Sequence, residues 1–542
     1  ADLPIGDSGA VLPCRSAAQT VACRIGGGSM SKEIVSKSRR VTSVVIGAIT
    51  MIVLIALLAV LVVLPGSKQW VDAVAATDDA IDQTVSPTQT EAYCPAPMGL
   101  ADTGSYGDSA FQATTGNLST QARYAAFDSV YSATVSAFGD DSADNITLKD
   151  ADPTDNDAVK TGAQSIDNGS RLLDTRMLQA AEGTGTVGSI ASWADDGDLK
   201  GVSASSCETT ALSQSFLLSG TATGTTQQLI IANPSTKPTT VEIKIWGSKQ
   251  SGEMALSTQS SLAIPASGEN ALDLAAAAPN QQGLYVTVSS KETPIAAVVR
   301  TVSMNGLTSK GSDFALPLHD ASNASVATSI AKGDAVDAYL YAASATGVTL
   351  SWITEHGLVQ AKDATLQANR VTVVDLGEAP EDALGVMSTA EDDVAFSVKA
   401  SQSGDDDQAD FALINAAAPA SFTGLAIPDD VDATVSLANS SNQSRKATLH
   451  AYDADGKATA SKEVEIDANA ATTIDIKDLS KDNESAVLLM LEDQSQQIGW
   501  GVRLTHANLG DDKVAGLASL GATPLMPATT HVWARSNPSI VH

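Results

Sequence analysis

Val241-Glu242-Ile243-Lys244-Ile245-Trp246 alternates apolar and polar side chains, the period-two pattern of a strand that buries one face. The same alternation returns at Val348-Thr349-Leu350-Ser351-Trp352-Ile353 and at Ala447-Thr448-Leu449-His450-Ala451-Tyr452. Each copy is followed by a glycine turn, at Gly252, Gly357 or Gly456. Ile231-Ala232-Asn233 precedes the first copy and Leu437-Ala438-Asn439 the third. Downstream, Ile264, Leu366 and Ile466 each stand nine residues before an acidic-apolar pair: Asp273-Leu274, Asp375-Leu376 and Asp475-Ile476. A closing segment then ends on a basic residue, at Arg300, Lys399 and Arg503. The first two copies go on to share Asp313-Phe314-Ala315-Leu316 and Asp410-Phe411-Ala412-Leu413.

With the acidic-apolar pair as marker, the copies are offset by 102 and 100 residues. That period is too long for a solenoid and suits a sandwich of short strands with turn signals between them. The expected fold is therefore mainly β. It has about three tandem immunoglobulin-like β-sandwich repeats, at 207–320, 321–420 and 421–525, after one N-terminal transmembrane helix. A loop-rich small β region is expected at 94–206, with weak strand signals at 171–181 and 186–193, and a C-terminal extension at 526–542. Trp246, Trp352 and Trp500 read as strand-packing residues rather than ligand platforms. The recurrent Asp and Arg/Lys leave two readings open, an ion pair repeated in each unit or two solvated charges, with the second preferred.

Working outward to the N-terminus, residues 41–64 are almost unbroken Val, Ile, Leu, Ala and Met, with no charge from Val41 to Ser67. As a helix, 24 residues span about 36 Å, enough for a ~30 Å hydrocarbon core. Lys32, Lys37, Arg39 and Arg40 precede the run and Asp72, Asp78, Asp79 and Asp82 follow it. The positive-inside rule then puts a basic tail at 30–40 in the cytoplasm and the C-terminus outside. A signal peptide cleaved near Ala75 is the rival reading. Gly26-Gly27-Gly28-Ser29 directly before Met30 suggests that Met30 is the start and that 1–29 is non-native or upstream-translated sequence. Residues 65–93 read as an acidic stalk.

The formal net charge is −31, and residues 1–65 carry +3, so the outer portion carries −34. A surface this acidic repels phosphate backbones and argues against nucleic-acid binding. Of four cysteines, Cys14 and Cys23 fall in the doubtful leader, which leaves Cys94 and Cys207. An isolated pair in an oxidising compartment reads as a disulfide. It is expected to pin the small β region to the first sandwich.

The acidic stretch 150–157 lacks the Gly and Glu positions of an EF-hand loop and reads as solvated. Asp405-Asp406-Asp407 and Asp453-Ala454-Asp455-Gly456 read as hairpin turns. The histidines His319, His356, His450, His506, His531 and His542 are scattered, and no nucleophile elbow, P-loop or zinc motif is present. No catalytic, cofactor-binding or metal residue is assigned. The Asn-x-Ser/Thr triplets at Asn117, Asn145 and Asn439 are expected by chance in so Ser/Thr-rich a chain.

The anchor, the Cys94/Cys207 pair, Leu229-Ile230-Ile231-Ala232-Asn233-Pro234 and the strand Val241 to Trp246 together resemble a family of uncharacterised actinobacterial proteins. That resemblance implies single-pass, extracytoplasmic proteins with tandem β-sandwich units, and no activity. The function expected is a membrane-anchored structural or interaction scaffold of the bacterial cell envelope, without catalysis. Its partners would be the lipid bilayer and an unknown envelope protein or glycan. The alternative is an extracytoplasmic ligand-binding module, with glycans as the ligand class considered.

Overall fold

The structure is a computed structural model, and it describes residues 51, 53, 81–101, 112–139, 145–151, 158–481, 484–511, 513–525 and 530–534. The expected anchor at 41–64 lies outside them apart from Met51 and Val53, as do residues 1–40 and most of the acidic loop at 150–157. Among the described residues no helix is long and apolar enough to cross a membrane. Residues 1–83 with 532–542 form one compact unit and Thr84–His531 another. A two-stranded sheet pairs β1 (Ile81–Val85) with β35 (Thr530–Ala534).

The chain is mainly β, and the larger unit repeats one strand plan four times. The first module holds β2 (Gln89–Cys94), β3 (Ser119–Phe127), β4 (Val130–Ala137), β5 (Ile146–Lys149), β6 (Lys160–Ser165), β7 (Arg171–Met177), β8 (Gly185–Ala194) and β9 (Gly201–Ser206), then the short β10 (Glu208–Thr209). The second holds β11 (Ser213–Ser219), β12 (Thr225–Asn233), β13 (Thr239–Gly247), β14 (Ser261–Ile264), β15 (Gly268–Asp273), β16 (Gly283–Ser290), β17 (Ala296–Asn305) and β18 (Thr308–Ala315), with helix α1 (Leu274–Ala277) after β15.

The third module runs β19 (Ser322–Thr328), β20 (Ala335–Tyr341), β21 (Thr346–Thr354), β22 (Gly357–Leu366), β23 (Thr372–Glu378), β24 (Ala383–Ser403) and β25 (Ala409–Asn415). The fourth runs β26 (Phe422–Ala426), β27 (Asp432–Asn439), β28 (Arg445–Tyr452), β29 (Ala458–Ile466), β30 (Ala471–Asp475), β31 (Leu488–Glu492), β32 (Ile498–Thr505) and β33 (Ala518–Gly521). Helix α2 (Ala507–Asp511) and β34 (Thr523–Pro524) complete it.

In every module the first, sixth, third and fourth strands form one sheet in that order, and the fifth, second, seventh and eighth form the other. The 21-residue β24 supplies both the sixth and the seventh strand of the third module. Its first half pairs with β19 and β21 and its second half with β20 and β25, so one strand passes from sheet to sheet. In the first and fourth modules an extra strand, β10 or β34, returns to the edge of the first strand.

The alternation that opened the sequence reading is the third strand of its module. Val241, Ile243 and Ile245 are buried while Glu242 is exposed, and the cluster they join draws on both sheets. The nine-residue spacing is the crossing from the fourth strand to the fifth. Three residues past Ile264, Leu366 and Ile466, the chain enters the left-handed region at Ser267, Asn369 and Asn469. The backbone N–H of each donates to the loop after the second strand, at Ser235, Ala342 and Ser441. Asn tolerates that conformation better than most side chains do, which explains its recurrence.

Three expectations change. The described part of residues 94–206, expected as a loop-rich small β region, carries the same strand order as the others, so the modules number four rather than three. Residues 89–93, assigned to the stalk, are strand β2, and Tyr93 is fully buried. Cys207 lies between β9 and β10, both paired within the first module, so the Cys94–Cys207 bond closes that module rather than tying it to the next.

Candidate functional site

The eighth strands, β9, β18, β25 and β33, pack against one another in a closed ring, with β9 and β25 each touching both β18 and β33. The modules are thus gathered around a shared centre instead of being strung in a line. Two fully buried aspartates hold it. Asp313 accepts the backbone N–H of Ala204 at 3.1 Å and of Leu413 at 2.7 Å, joining the second module to the first and third. Asp410 accepts Val202 N–H at 2.7 Å and Leu517 N–H at 2.8 Å, joining the third module to the first and fourth. A Cβ at Gly201 or Gly311, both left-handed, would stand inside the Asp410 carboxylate. Those glycines let backbone from two modules approach one carboxyl group. Burial raises the pKa of both aspartates well above the usual range, against the lowering effect of the N–H bonds each accepts.

At one end of these strands lies a cavity of about 130 Å³ lined by all four modules. Glu208 of β10, His319, Asn415 and Trp500 face it among apolar Phe314, Leu413 and Leu520. Trp500 Nε1 donates to Thr423 Oγ1 at 2.6 Å, and Asn415 Nδ2 donates to the carbonyls of Leu316 and Pro317 at 2.9 and 3.1 Å. The Glu208 carboxyl and Asn415 Oδ1 have no hydrogen-bond partner among the described residues. Glu208 is half-buried on the cavity wall, and desolvation pushes its pKa up to about 8. His319 stands on the same wall with surface open to solvent. Burial lowers its pKa while Asp320 acts to raise it.

A second, shallower recess sits where the first and fourth modules meet. The Trp193 ring stacks on His506 at 4.9 Å, beside Asp430, Asp432 and Asn508. Burial lowers the His506 pKa, and Asp430, Asp432 and Asp195 oppose it.

Residues marked in the sequence fall into place around these features. Cys94 and Cys207 are disulfide-bonded, and Cys207 touches the cavity. Trp352 and Trp500 are buried in module cores. Trp246 instead packs with Tyr285 and Tyr341, whose rings stack at 3.9 Å between the second and third modules. Asp273 and Asp475 cap short helical turns and Asp375 accepts the Gly377 N–H, so none of the recurrent aspartates meets its Arg or Lys. The basic residues do other work. Arg503 grips the fully buried Asp334 through two bonds of 2.7 and 3.0 Å across the third and fourth modules. Lys399 lies 4.1 Å over the Phe411 ring.

Asp405 to Asp407 and Asp453 to Gly456 are turns, as read. Among the described residues no three His, Cys, Asp or Glu side chains are placed to hold a metal ion. Nothing in the sequence marks Glu208 or Asn415, and the shared Asp-Phe-Ala-Leu segment does not by itself show that its aspartates close a ring.

Among curated proteins none matches the chain. A family model described as a family of unknown function (DUF5719) matches residues 161–477, from the fifth strand of the first module into the fourth. Over half the chain is covered, and the protein belongs to this family of unknown function, DUF5719.

Proposed function

We propose that the protein is a membrane-anchored, extracytoplasmic structural or interaction scaffold of the bacterial cell envelope, without catalysis. The observation that carries this reading is the ring itself. Four two-sheet modules joined through buried carboxyl groups present a large acidic surface. Such a ring suits presentation and spacing. The buried Cys94–Cys207 bond fits an oxidising compartment. The uncharged run at 41–64 provides the single-pass anchor, with the N-terminus in the cytoplasm. An actinobacterial envelope is the setting the resemblance suggests. The modules are immunoglobulin-like in having two antiparallel sheets over one core. Their second strand lies between the fifth and seventh, unlike the ABED and CFG grouping of that fold.

The test is full-length chain with a C-terminal tag in intact bacterial cells. The tag should be digested by external protease, the chain should stay with membranes at alkaline pH, and crosslinking should recover the same envelope protein in replicates. A tag protected until lysis, or crosslinked membranes with no reproducible partner, refutes the proposal. A second reading, a glycan-binding module, is favoured by the Trp193–His506 recess, where an aromatic ring sits beside carboxylates and an amide. Glycan-array binding lost in Trp193→Ala would support it, and an array with no hit would remove it.

A further inference from the structure

We propose that the cavity at one end of the ring strands is a binding site for a small organic ammonium ion, with Glu208 as its carboxylate partner. Four observations carry this. The cavity is walled by segments of all four modules, so it exists only in the closed ring. Glu208 lines it, half-buried, and its carboxyl has no protein partner, which leaves it free to pair with a cation. No Lys or Arg lines the wall, the Asn415 and Trp500 donors are already committed, and Asn415 Oδ1 is a second acceptor beside the hydroxyls of Thr209, Thr328, Ser519 and Thr523. Phe314, Leu413 and Leu520 supply apolar surface for a short alkyl chain.

The ligand that matches acceptors, negative charge and apolar wall is a primary ammonium of a few carbons. A cavity of about 130 Å³ approaches the roughly 150 Å³ that accommodates benzene in an engineered core. An anion finds no cationic partner here. The charge of −34 outside the anchor draws cations toward the protein.

Because burial holds the Glu208 proton up to about 8, an ammonium ion must displace that proton when it binds below this pH. Affinity then rises about tenfold per pH unit below 8 and levels above it. His319, with Asp320 beside it, is the other titratable group on the wall.

The probe is n-butylammonium, titrated calorimetrically into the full-length chain in detergent, at pH 6 to 9 and in buffers of different ionisation heat. n-Butanol and butyrate serve as neutral and anionic matches. Butylammonium should bind with release of close to one proton at pH 6, and the two matches should bind at least tenfold more weakly. Glu208→Gln should lose at least tenfold in affinity and all proton release, whereas His319→Gln should keep the pH dependence. Gly521 lines the cavity and a Cβ there meets nothing within 4 Å, so Gly521→Val adds bulk at the cavity wall without removing the Glu208 charge, and it should weaken binding. The proposal is overturned by no binding to wild type, by equal binding of butanol, or by unchanged binding in a folded Glu208→Gln or Gly521→Val chain.

Discussion

Replacing Asp410 by Ala tests whether the buried carboxylates hold the ring closed. The side chain accepts Val202 N–H and Leu517 N–H from two other modules, at 2.7 and 2.8 Å, in a fully buried setting. Its loss strands both donors where water does not reach, at about 1–3 kcal/mol each, so the mutant should lose roughly 2–6 kcal/mol. With a urea slope of ~3 kcal/mol per M for a chain of this size, the midpoint falls by about 0.7–2 M. Tryptophan fluorescence should report the transition at two interfaces, because Trp193 and Trp246 both pack between modules. Asp410→Asn keeps one acceptor oxygen and should fall between wild type and Ala. Both carboxyls have raised pKa values, so the native state binds protons that the unfolded chain has released. Their contribution is fully present near pH 4 and declines as pH rises from the ordinary aspartate value toward the raised one. The Asp410→Ala defect is therefore largest in mildly acidic buffer. An Asp410→Ala midpoint within 0.2 M of wild type at pH 5 would refute this account of the ring centre.

Three further outcomes follow from named contacts. Arg503→Ala leaves the Asp334 carboxylate, fully buried and gripped at 2.7 and 3.0 Å, without its cation, and should cost about 3–5 kcal/mol in urea unfolding, with Arg503→Lys recovering only part. Cys94 and Cys207 are buried, so native chain should resist dithiothreitol in a thiol-alkylation assay, and Cys94→Ala/Cys207→Ala should lose about 4 kcal/mol for a closed loop spanning 113 positions. Expressed in a glycosylating host, the chain should carry sugar at the exposed Asn117 and none at Asn439, whose side chain is fully buried in bonds to Gln443, Ile466 and Asp467; mass spectrometry decides this.

The repeat was legible because its marks are local. A third strand that buries every second side chain must alternate, and Val241, Leu350 and Leu449 do. The crossing between sheets needs a left-handed residue at one point, so its spacing is fixed, as at Ser267, Asn369 and Asn469. The first module escaped notice because its marks are broken: a register shift interrupts its third strand between Val130 and Ser132. Its second strand, Ser119 to Phe127, is buried along nearly its whole length among alanines and a buried Arg123. Arg123 reaches the Ile427 carbonyl at 2.9 Å in the fourth module, a partner more than three hundred residues away. A strand packed on both faces loses the polar-apolar alternation by which strands are recognised.

The ring centre was illegible for a related reason. Its residues look like surface residues: Gly201, Gly311, Asp313 and Asp410 are the types that fill hairpin turns, and a lone aspartate is usually solvated. What distinguishes them is whose backbone they meet, and that is set by closure of four modules rather than by neighbours in sequence. The repeated Asp-Phe-Ala-Leu shows the limit of reading by alignment. Phe314 stands opposite Arg300, whereas Leu413 stands opposite Lys399, so the two segments match in letters but sit two places apart on their strands. The shift brings Asp313 to Ala204 and Leu413 but Asp410 to Val202 and Leu517. Identical motifs thus fill different seats in one ring. A strictly symmetric array would have placed two like charges in equivalent positions; the offset instead lets each carboxyl find its own pair of N–H donors, although their mutual repulsion still acts to raise the Asp410 pKa.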